Sequence, residues 1–200
     1  MPSFARKGDD STAPEDMSKL LDQGIDLAGS NYDRKKNYDF RLIEIVREYA
    51  QNLPLVTCGG GEIQQVFLNI LRNSAEAIHG VMDLGSSEKS FLILRIRKDS
   101  EAGMLRIEIE DNGPGMKEET RKRIFEPFFT TKATDQGTGL GLSVSYFIIT
   151  ETHRGKMSVE PTCGVGTKFI TRLPIEGKSL WISQNRASWF STIMMLFAKA

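Results

Sequence analysis

The sequence predicts an α/β fold of two layers, a mixed sheet packed against helices, and three observations carry that expectation. Apolar residues recur at the helical period from Glu62 to His79. Residues 104–110 alternate apolar and charged side chains as a half-buried strand does. Helical and strand patterns interleave without the strict βαβ order of a parallel sheet, which favours a two-layer sandwich. With 200 residues, 40% of them apolar and 26% charged, the chain is long enough to bury one substantial core.

Taken in order, residues 1–14 mix charges with Pro2, Gly8 and Pro14 and show no apolar period, so they read as a flexible lead-in or the end of a preceding element. Met17, Leu20, Leu21, Ile25 and Ala28 fall at helical spacing, which predicts a short amphipathic helix over 16–29, opened at Asp16 and stopped around Gly29. A polar connection over 31–37 leads to a β-rich run of Phe40, Leu42, Ile43, Ile45 and Val46. Asn52-Leu53-Pro54 then turns the chain into a brief strand over 55–58, ended by Gly59-Gly60-Gly61. The 62–79 helix is built on Ile63, Val66, Phe67, Ile70, Leu71, Ala77 and Ile78.

Two strands are predicted next, at 91–97 and 104–110; in the second, Leu105, Ile107 and Ile109 oppose Arg106, Glu108 and Glu110. A Gly- and Phe-rich stretch over 111–141 leads into a helix from Leu142 to about Glu151, and strands near 157–159 and 167–173 close the domain. The expected organisation is a lead-in over 1–14, a domain over 15–176 and a tail over 177–200. Trp181, Trp189, Phe190, Ile193, Leu196 and Phe197 of that tail fall partly at helical spacing, so a docking helix and a disordered extension both stay open.

Lysine plus arginine equals aspartate plus glutamate at 26 each, so no net charge draws the chain to nucleic acid or to an anionic membrane surface. Cys58 and Cys163 lie far apart without CxxC spacing, and no signal-peptide pattern opens the chain, so a cytoplasmic setting is expected. The longest nearly apolar run, Ala187 to Ala198, falls well short of the ~20 residues of a spanning helix, so no direct membrane contact is expected.

Candidate chemistry gathers in four places. On the 62–79 helix, Gln65, Asn69, Asn73 and Glu76 are spaced 4, 4 and 3 residues apart and share one stripe opposite the apolar face. Asparagine is a poor helix former, so two of them one turn apart point to a ligand, and a neutral hard oxygen suits a magnesium ion already chelated by phosphates. A merely polar helix face is the other reading.

The alternation of 105, 107 and 109 carries forward to Asp111, which puts its carboxylate on the buried face at the strand end, where it needs a donor. An adenine amino group would supply one, with Gly113-Pro114-Gly115 letting the base approach; a capped turn is the alternative for Asp-Asn-Gly-Pro-Gly. Gly137-Thr138-Gly139-Leu140-Gly141 runs into the helix at Leu142 and offers backbone amides to phosphate. It is neither a P-loop, since no Gly-Lys-Ser/Thr follows, nor a GxGxxG dinucleotide turn.

Together these segments resemble the GHKL ATPase superfamily and, within it, the sensor histidine kinases. The N box corresponds to 65–77, with Asn69 and Asn73 at its asparagine positions. The G1 box corresponds to Asp111, Gly113 and Gly115, the F box to Phe125-Glu126-Pro127-Phe128-Phe129-Thr130-Thr131-Lys132, and the G2 box to 137–142. Gly166-Thr167-Lys168-Phe169 extends the likeness to about residue 175. The Asn-Ser-Ala-Glu-Ala wording at 73–77 looks like the nitrogen-regulatory type of kinase.

The resemblance implies a Bergerat-type fold that binds ATP with Mg2+. It implies that Asn73 ligates the metal, that Asn69 assists at the phosphates, and that Asp111, Gly113, Gly115 and Thr167 hold adenine. Gly137, Thr138, Gly139, Leu140, Gly141 and Leu142 would wrap the triphosphate beneath a lid anchored by Phe125, Phe128 and Phe129, while Thr131 and Lys132 reach the phosphates. Asn69, Asn73 and Lys132 are then the catalytic candidates.

Hydrolytic members of the superfamily carry a glutamate where this chain has Asn69, and an amide does not accept a proton near neutral pH, so transfer to an external acceptor is the better expectation. Many histidine kinases have lysine at the place of Glu76. The only histidines, His79 and His153, do not sit in a phospho-acceptor motif and are expected to be structural or solvent-exposed. The implied partners are therefore a histidine-bearing dimerisation domain of the same kinase and a downstream response-regulator receiver domain, with the chain the cytoplasmic part of a sensor. A non-catalytic module that senses nucleotide, as in the anti-sigma branch, is the rival from another class.

Overall fold

In the computed structural model, residues 12–30, 39–82, 89–132 and 137–176 are described. Five strands form one mixed sheet: β2 (Glu44–Tyr49), β4 (Phe91–Lys98), β5 (Met104–Asp111), β7 (Gly166–Pro174) and β6 (Lys156–Thr162), in that spatial order. β2 runs parallel to β4, and the other neighbours are antiparallel. The parallel pair needs a crossover, which is supplied by β3 (Val56–Cys58) and helix α2 (Gly60–Met82). Strand β1 (Ala13–Glu15) pairs antiparallel with β3.

Helix α1 (Met17–Ser30) and α2 cover one face of the sheet. Leu21 of α1 and Ile63, Val66, Phe67, Ile70 and Leu71 of α2 are buried in one cluster with Leu92, Leu94 and Ile96 of β4 and Leu105, Ile107 and Ile109 of β5. The period of 3.6 on the helices and 2 on the strands thus meet in a single core, the two-layer α/β sandwich the sequence predicts. Asp16 opens α1: its Oδ1 accepts from the Ser18 N–H at 3.0 Å and the Ser18 hydroxyl at 2.6 Å, and these bonds, the hydroxyl's above all, hold its carboxyl below the ordinary value.

The opposite sheet face is charged yet partly buried. Glu108 is only 2% exposed, because Arg106 Nε at 2.5 Å and an Arg97 guanidinium nitrogen at 2.8 Å close over it, with Arg95 at 3.8 Å. Arg95 also pairs with Glu48 at 2.6 Å and with Glu110. The alternation therefore does not mean one dry face and one wet one; arginine stems shelter the carboxylate they neutralise.

Several boundaries differ from the sequence expectation. Phe40–Leu42 is a 3-10 turn rather than the start of the strand, since Asp39 accepts from the Arg41 N–H at 3.0 Å and grips its guanidinium. Residues 13–15, expected on both sides of a lead-in boundary, are a paired strand. A short helix α3 (Glu118–Arg123) interrupts the Gly- and Phe-rich stretch, with Glu118 and Glu119 in its first turn and Arg121, Lys122 and Arg123 in its last, as the helix dipole favours.

The helix expected over 142–151 is α-helical only as α4 (Gly141–Phe147) and widens into a π-helical turn over Ile148–Thr152. The Ile148 carbonyl there accepts the His153 backbone N–H, five residues on, at 3.1 Å. Residues 1–11 of the expected lead-in and the expected tail over 177–200 lie outside the described residues. Among the described residues no helix is long and apolar enough to cross a membrane. Both cysteines are free; burial, the largest cause, pushes the Cys58 thiol up to about 12, and Cys163 is exposed.

Candidate functional site

Helix α2 is the spine of the site. Its Asn69, Asn73, Glu76 stripe faces α4 and the end of the F-box loop rather than open solvent. Asn69 Nδ2 donates to the Gly141 carbonyl at 3.3 Å and to Ser145 Oγ at 3.2 Å, which ties α2 to the G2 segment. Asn73 Nδ2 donates to the Asn69 backbone carbonyl at 2.8 Å. Its nitrogen is spent on its own helix, so Asn73 turns an oxygen outward, and Lys132 Nζ donates to that Oδ1 at 3.3 Å. The same ammonium is ion-paired with Glu76.

An outward amide oxygen already facing a cation is the donor a hard metal ion takes, so the residues present fit magnesium. Among the described residues no three His, Cys, Asp or Glu gather around one point. A cation at Asn73 would thus need oxygens from a bound phosphate to complete its shell.

Asp111 sits at the other end of the site, on the inner face where β5 ends, 3% exposed. Its Oδ1 accepts the Gly113 N–H at 3.0 Å and the Thr167 N–H at 3.2 Å, and its Oδ2 accepts the Ser74 hydroxyl at 2.8 Å. Burial raises its pKa above the ordinary 3.8, and these three donors oppose that rise only in part. Thr167 is brought here by the β5–β7 register, which pairs it with Asp111. Gly166 allows that approach: a Cβ there would lie 1.9 Å from the Asp111 carbonyl oxygen. Gly113 is buried beside Ala77 of α2, and Gly115 lies against the Thr162 carbonyl at the end of β6.

The G2 segment closes the side between these two ends. The Phe128 N–H donates to the Gly139 carbonyl at 3.0 Å, joining the F box to the glycine loop. Gly139 has φ +65°, and a Cβ there would strike the Phe128 carbonyl carbon at 2.5 Å, so the tie demands glycine. Phe125 stacks on Tyr146 of α4 with ring centroids 4.9 Å apart, and Arg123 lies over the Phe129 ring at 4.4 Å. Phe128 is 46% exposed, and its backbone N–H makes the link to Gly139.

Thr130 Oγ1 accepts the Lys132 N–H at 3.1 Å, Thr131 and Thr138 are exposed, and Leu142 packs on the core. Gly137, Leu140 and Gly141 are partly buried along the same segment.

His153 is structural. Its side chain is 6% exposed, the Gly59 N–H donates to Nε2 at 3.1 Å, and Nδ1 lies 2.9 Å from the Ile148 carbonyl, which fixes the hydrogen on Nδ1. Ser74 is a site residue that sequence reasoning missed. Its signal was present: a small hydroxyl on the apolar side of α2, one residue after Asn73, is out of place in a dry core unless a buried acceptor awaits it.

Comparison with known proteins now decides the family. A family described as histidine kinase-, DNA gyrase B-, and HSP90-like ATPase matches residues 60–177. The chain belongs to that family. Within this ATPase family it is 38% identical over 133 residues to Sporulation kinase E of Bacillus subtilis (strain 168), covering 66% of this chain and 16% of that protein. It is 37% identical over 170 residues to the sensory histidine kinase/phosphatase NtrB of Rhodobacter capsulatus, covering 84% of this chain and 45% of that one.

Among solved structures, the nucleotide-free catalytic domain of histidine kinase ThkA superposes with a TM-score of 0.65 at 28% identity, covering 83% of this chain and 97% of that domain. The chain thus has the sequence and fold of a sensor histidine kinase's ATP-binding catalytic domain, and it spans under half the length of these two curated relatives.

Proposed function

We propose that this chain, over residues 15–176, is the module that takes the γ-phosphoryl group from ATP and delivers it to a histidine on a separate dimerisation domain. The observation that carries this reading is Asn69. At the place where hydrolytic relatives of the resemblance hold a glutamate, the side chain here is an amide whose nitrogen donates to Gly141 and Ser145. Such a group takes no proton from water, so an external nucleophile is favoured.

In this reading Asp111 accepts from the adenine amino group, in a pocket floored by Gly113, Gly115 and Thr167. Thr131, Lys132 and the amides of 137–142 hold the phosphates. Asn69 and Asn73 set the phosphate end against α2, with Asn73 Oδ1 the metal ligand. Bound magnesium supplies charge neutralisation at the phosphates. The chain's own part is positioning: a rigid helix carries the polar side chains, and a loop tied by Phe128 and Gly139 closes on them.

A response-regulator receiver domain is the downstream partner in the same proposal. ThkA, which shares this fold, has been solved in complex with response regulator protein TrrA, at 26% identity and a TM-score of 0.61 to this chain. The setting is the cytoplasmic side of a sensor.

The test uses γ-labelled ATP, Mg2+, the chain and a separately supplied histidine-helix domain of the NtrB type. Label on the acceptor that survives alkali and is lost in acid, absent with Asn73→Ala, is the expected result. Nucleotide binding without transfer would favour the non-catalytic sensing module, and steady phosphate release without an acceptor would favour a hydrolase.

A further inference from the structure

Glu76 is the residue that the proposed chemistry leaves unused. It lies three residues beyond Asn73 on the same helix face, where many histidine kinases have a lysine. A carboxylate beside incoming phosphates repels them unless a cation stands between. In the structure a cation does stand there: the Lys132 ammonium, ion-paired with Glu76 and 3.3 Å from Asn73 Oδ1.

The loop confines that lysine. Its N–H is held by Thr130 Oγ1 at 3.1 Å, and a Cβ on Gly137 would come within 3.2 Å of Lys132 Cδ. Neither partner is fully solvated, with the Glu76 side chain 23% and the Lys132 side chain 37% exposed, so solvent screens the pair only partly.

One ammonium cannot fully neutralise Glu76 and the phosphates together. We propose that Glu76 makes nucleotide binding depend on a divalent cation. Before ATP arrives, Glu76 parks Lys132 over Asn73; when ATP arrives with its cation, Glu76 joins Asn73 in holding that cation, directly or through a water, and Lys132 is released to the phosphates. Without a divalent cation the carboxylate keeps Lys132 and repels the triphosphate. The two oxygens that hold the ammonium are the two that take the metal, which is why a lysine at this position would not serve the same end. The inference rests on the nucleotide reading above and names the residue that links cation to nucleotide at that site.

The experiment measures the Kd of ATP in Mg2+ and in EDTA for the wild-type chain, Glu76→Gln and Lys132→Gln, with circular dichroism melting on each variant. The quantity read is the ratio of the EDTA to the Mg2+ value. Glu76→Gln should lower this ratio by about tenfold, equivalent to about 1.4 kcal/mol, with metal-free binding becoming tighter. Lys132→Gln should raise it, because the Glu76 carboxylate then faces the phosphates without the Lys132 charge. These opposite signs separate the proposal from a surface ion pair, whose loss moves neither ratio. A ratio unchanged in Glu76→Gln, or lowered in Lys132→Gln, overturns the coupling while leaving the nucleotide reading intact. No binding of Mg-ATP by the wild-type chain would overturn both.

Discussion

Replacing Asp111 by asparagine or by alanine separates what this carboxylate does for the fold from what it does for a ligand. Its pKa is raised by burial above the ordinary 3.8. A group whose folded pKa is raised contributes stability that is fully present below its unfolded pKa and lost as the pH rises through the folded one. At neutral pH the wild-type protein therefore keeps a buried charge at the expense of stability. Asparagine removes the charge and keeps the geometry: its oxygen can still accept the Gly113 and Thr167 N–H groups, now at 3.0 and 3.2 Å, and its nitrogen can donate to Ser74 Oγ, now at 2.8 Å.

Asp111→Asn should accordingly melt at or above the wild-type temperature near neutral pH, with the gap closing as the pH falls toward about 4. Asp111→Ala strands three buried donors at roughly 1 kcal/mol or more each, about 3 kcal/mol in all. For a domain of this size that lowers the melting temperature by at least about 6 °C. Both variants lose the charged acceptor proposed for adenine, a bond worth about 1.5–3 kcal/mol, so ATP affinity should fall by about 10-fold to 100-fold. Thermal melts across pH, paired with calorimetric titration of Mg-ATP, read both effects. An asparagine variant that melts several degrees below wild type at neutral pH would refute the reasoning, since the charge would then be holding the fold together.

Three further outcomes are expected. Glu108→Ala should destabilise the chain by about 2 kcal/mol in denaturant titration, less than for a fully buried pair because Arg97 is half-exposed, and Glu108→Gln should cost less. Gly139→Ala should leave the melting temperature within a few degrees of wild type but weaken Mg-ATP binding by about tenfold, because a left-handed alanine costs about 1–2 kcal/mol and its Cβ collides with Phe128. Nitrogen NMR of His153 should show hydrogen on Nδ1, and His153→Ala should cost about 1–3 kcal/mol by orphaning the Gly59 N–H; hydrogen on Nε2 instead would contradict that pairing.

What could be read from the sequence was whatever repeats. The core face of α2 and the inner row of β5 follow from periods of 3.6 and 2, and Asp111 follows because it continues the second period into the turn. Asn69 and Asn73 stood out because amides are odd on a helix, and in the structure Asn69 meets Gly141 while Asn73 meets Lys132. Features that depend on one contact between distant segments were not visible. The Ser74 hydroxyl has meaning only once β5 delivers a carboxylate to it, and the His153 ring is fixed only once the Gly59 N–H, from a distant part of the chain, reaches its Nε2. The 3-10 turn at Phe40 hides behind β-branched neighbours, since a local Asp39 bond outweighs their strand preference. Glu108 looked solvated because its shelter is assembled by arginines from two strands.

Asn73 and Ser74 are joined by one peptide bond yet address opposite ends of the site, the first turned to Lys132 and the second to Asp111. Successive residues on a helix diverge by about 100°, so α2 acts as a ruler whose graduations cannot be moved independently. A one-residue insertion or deletion between Asn69 and Ser74 would rotate one address out of place whichever end stayed anchored. Length variation in this domain should therefore be tolerated in the connections between elements and forbidden within this turn of helix, which gives the chain a fixed distance between its two proposed points of grip.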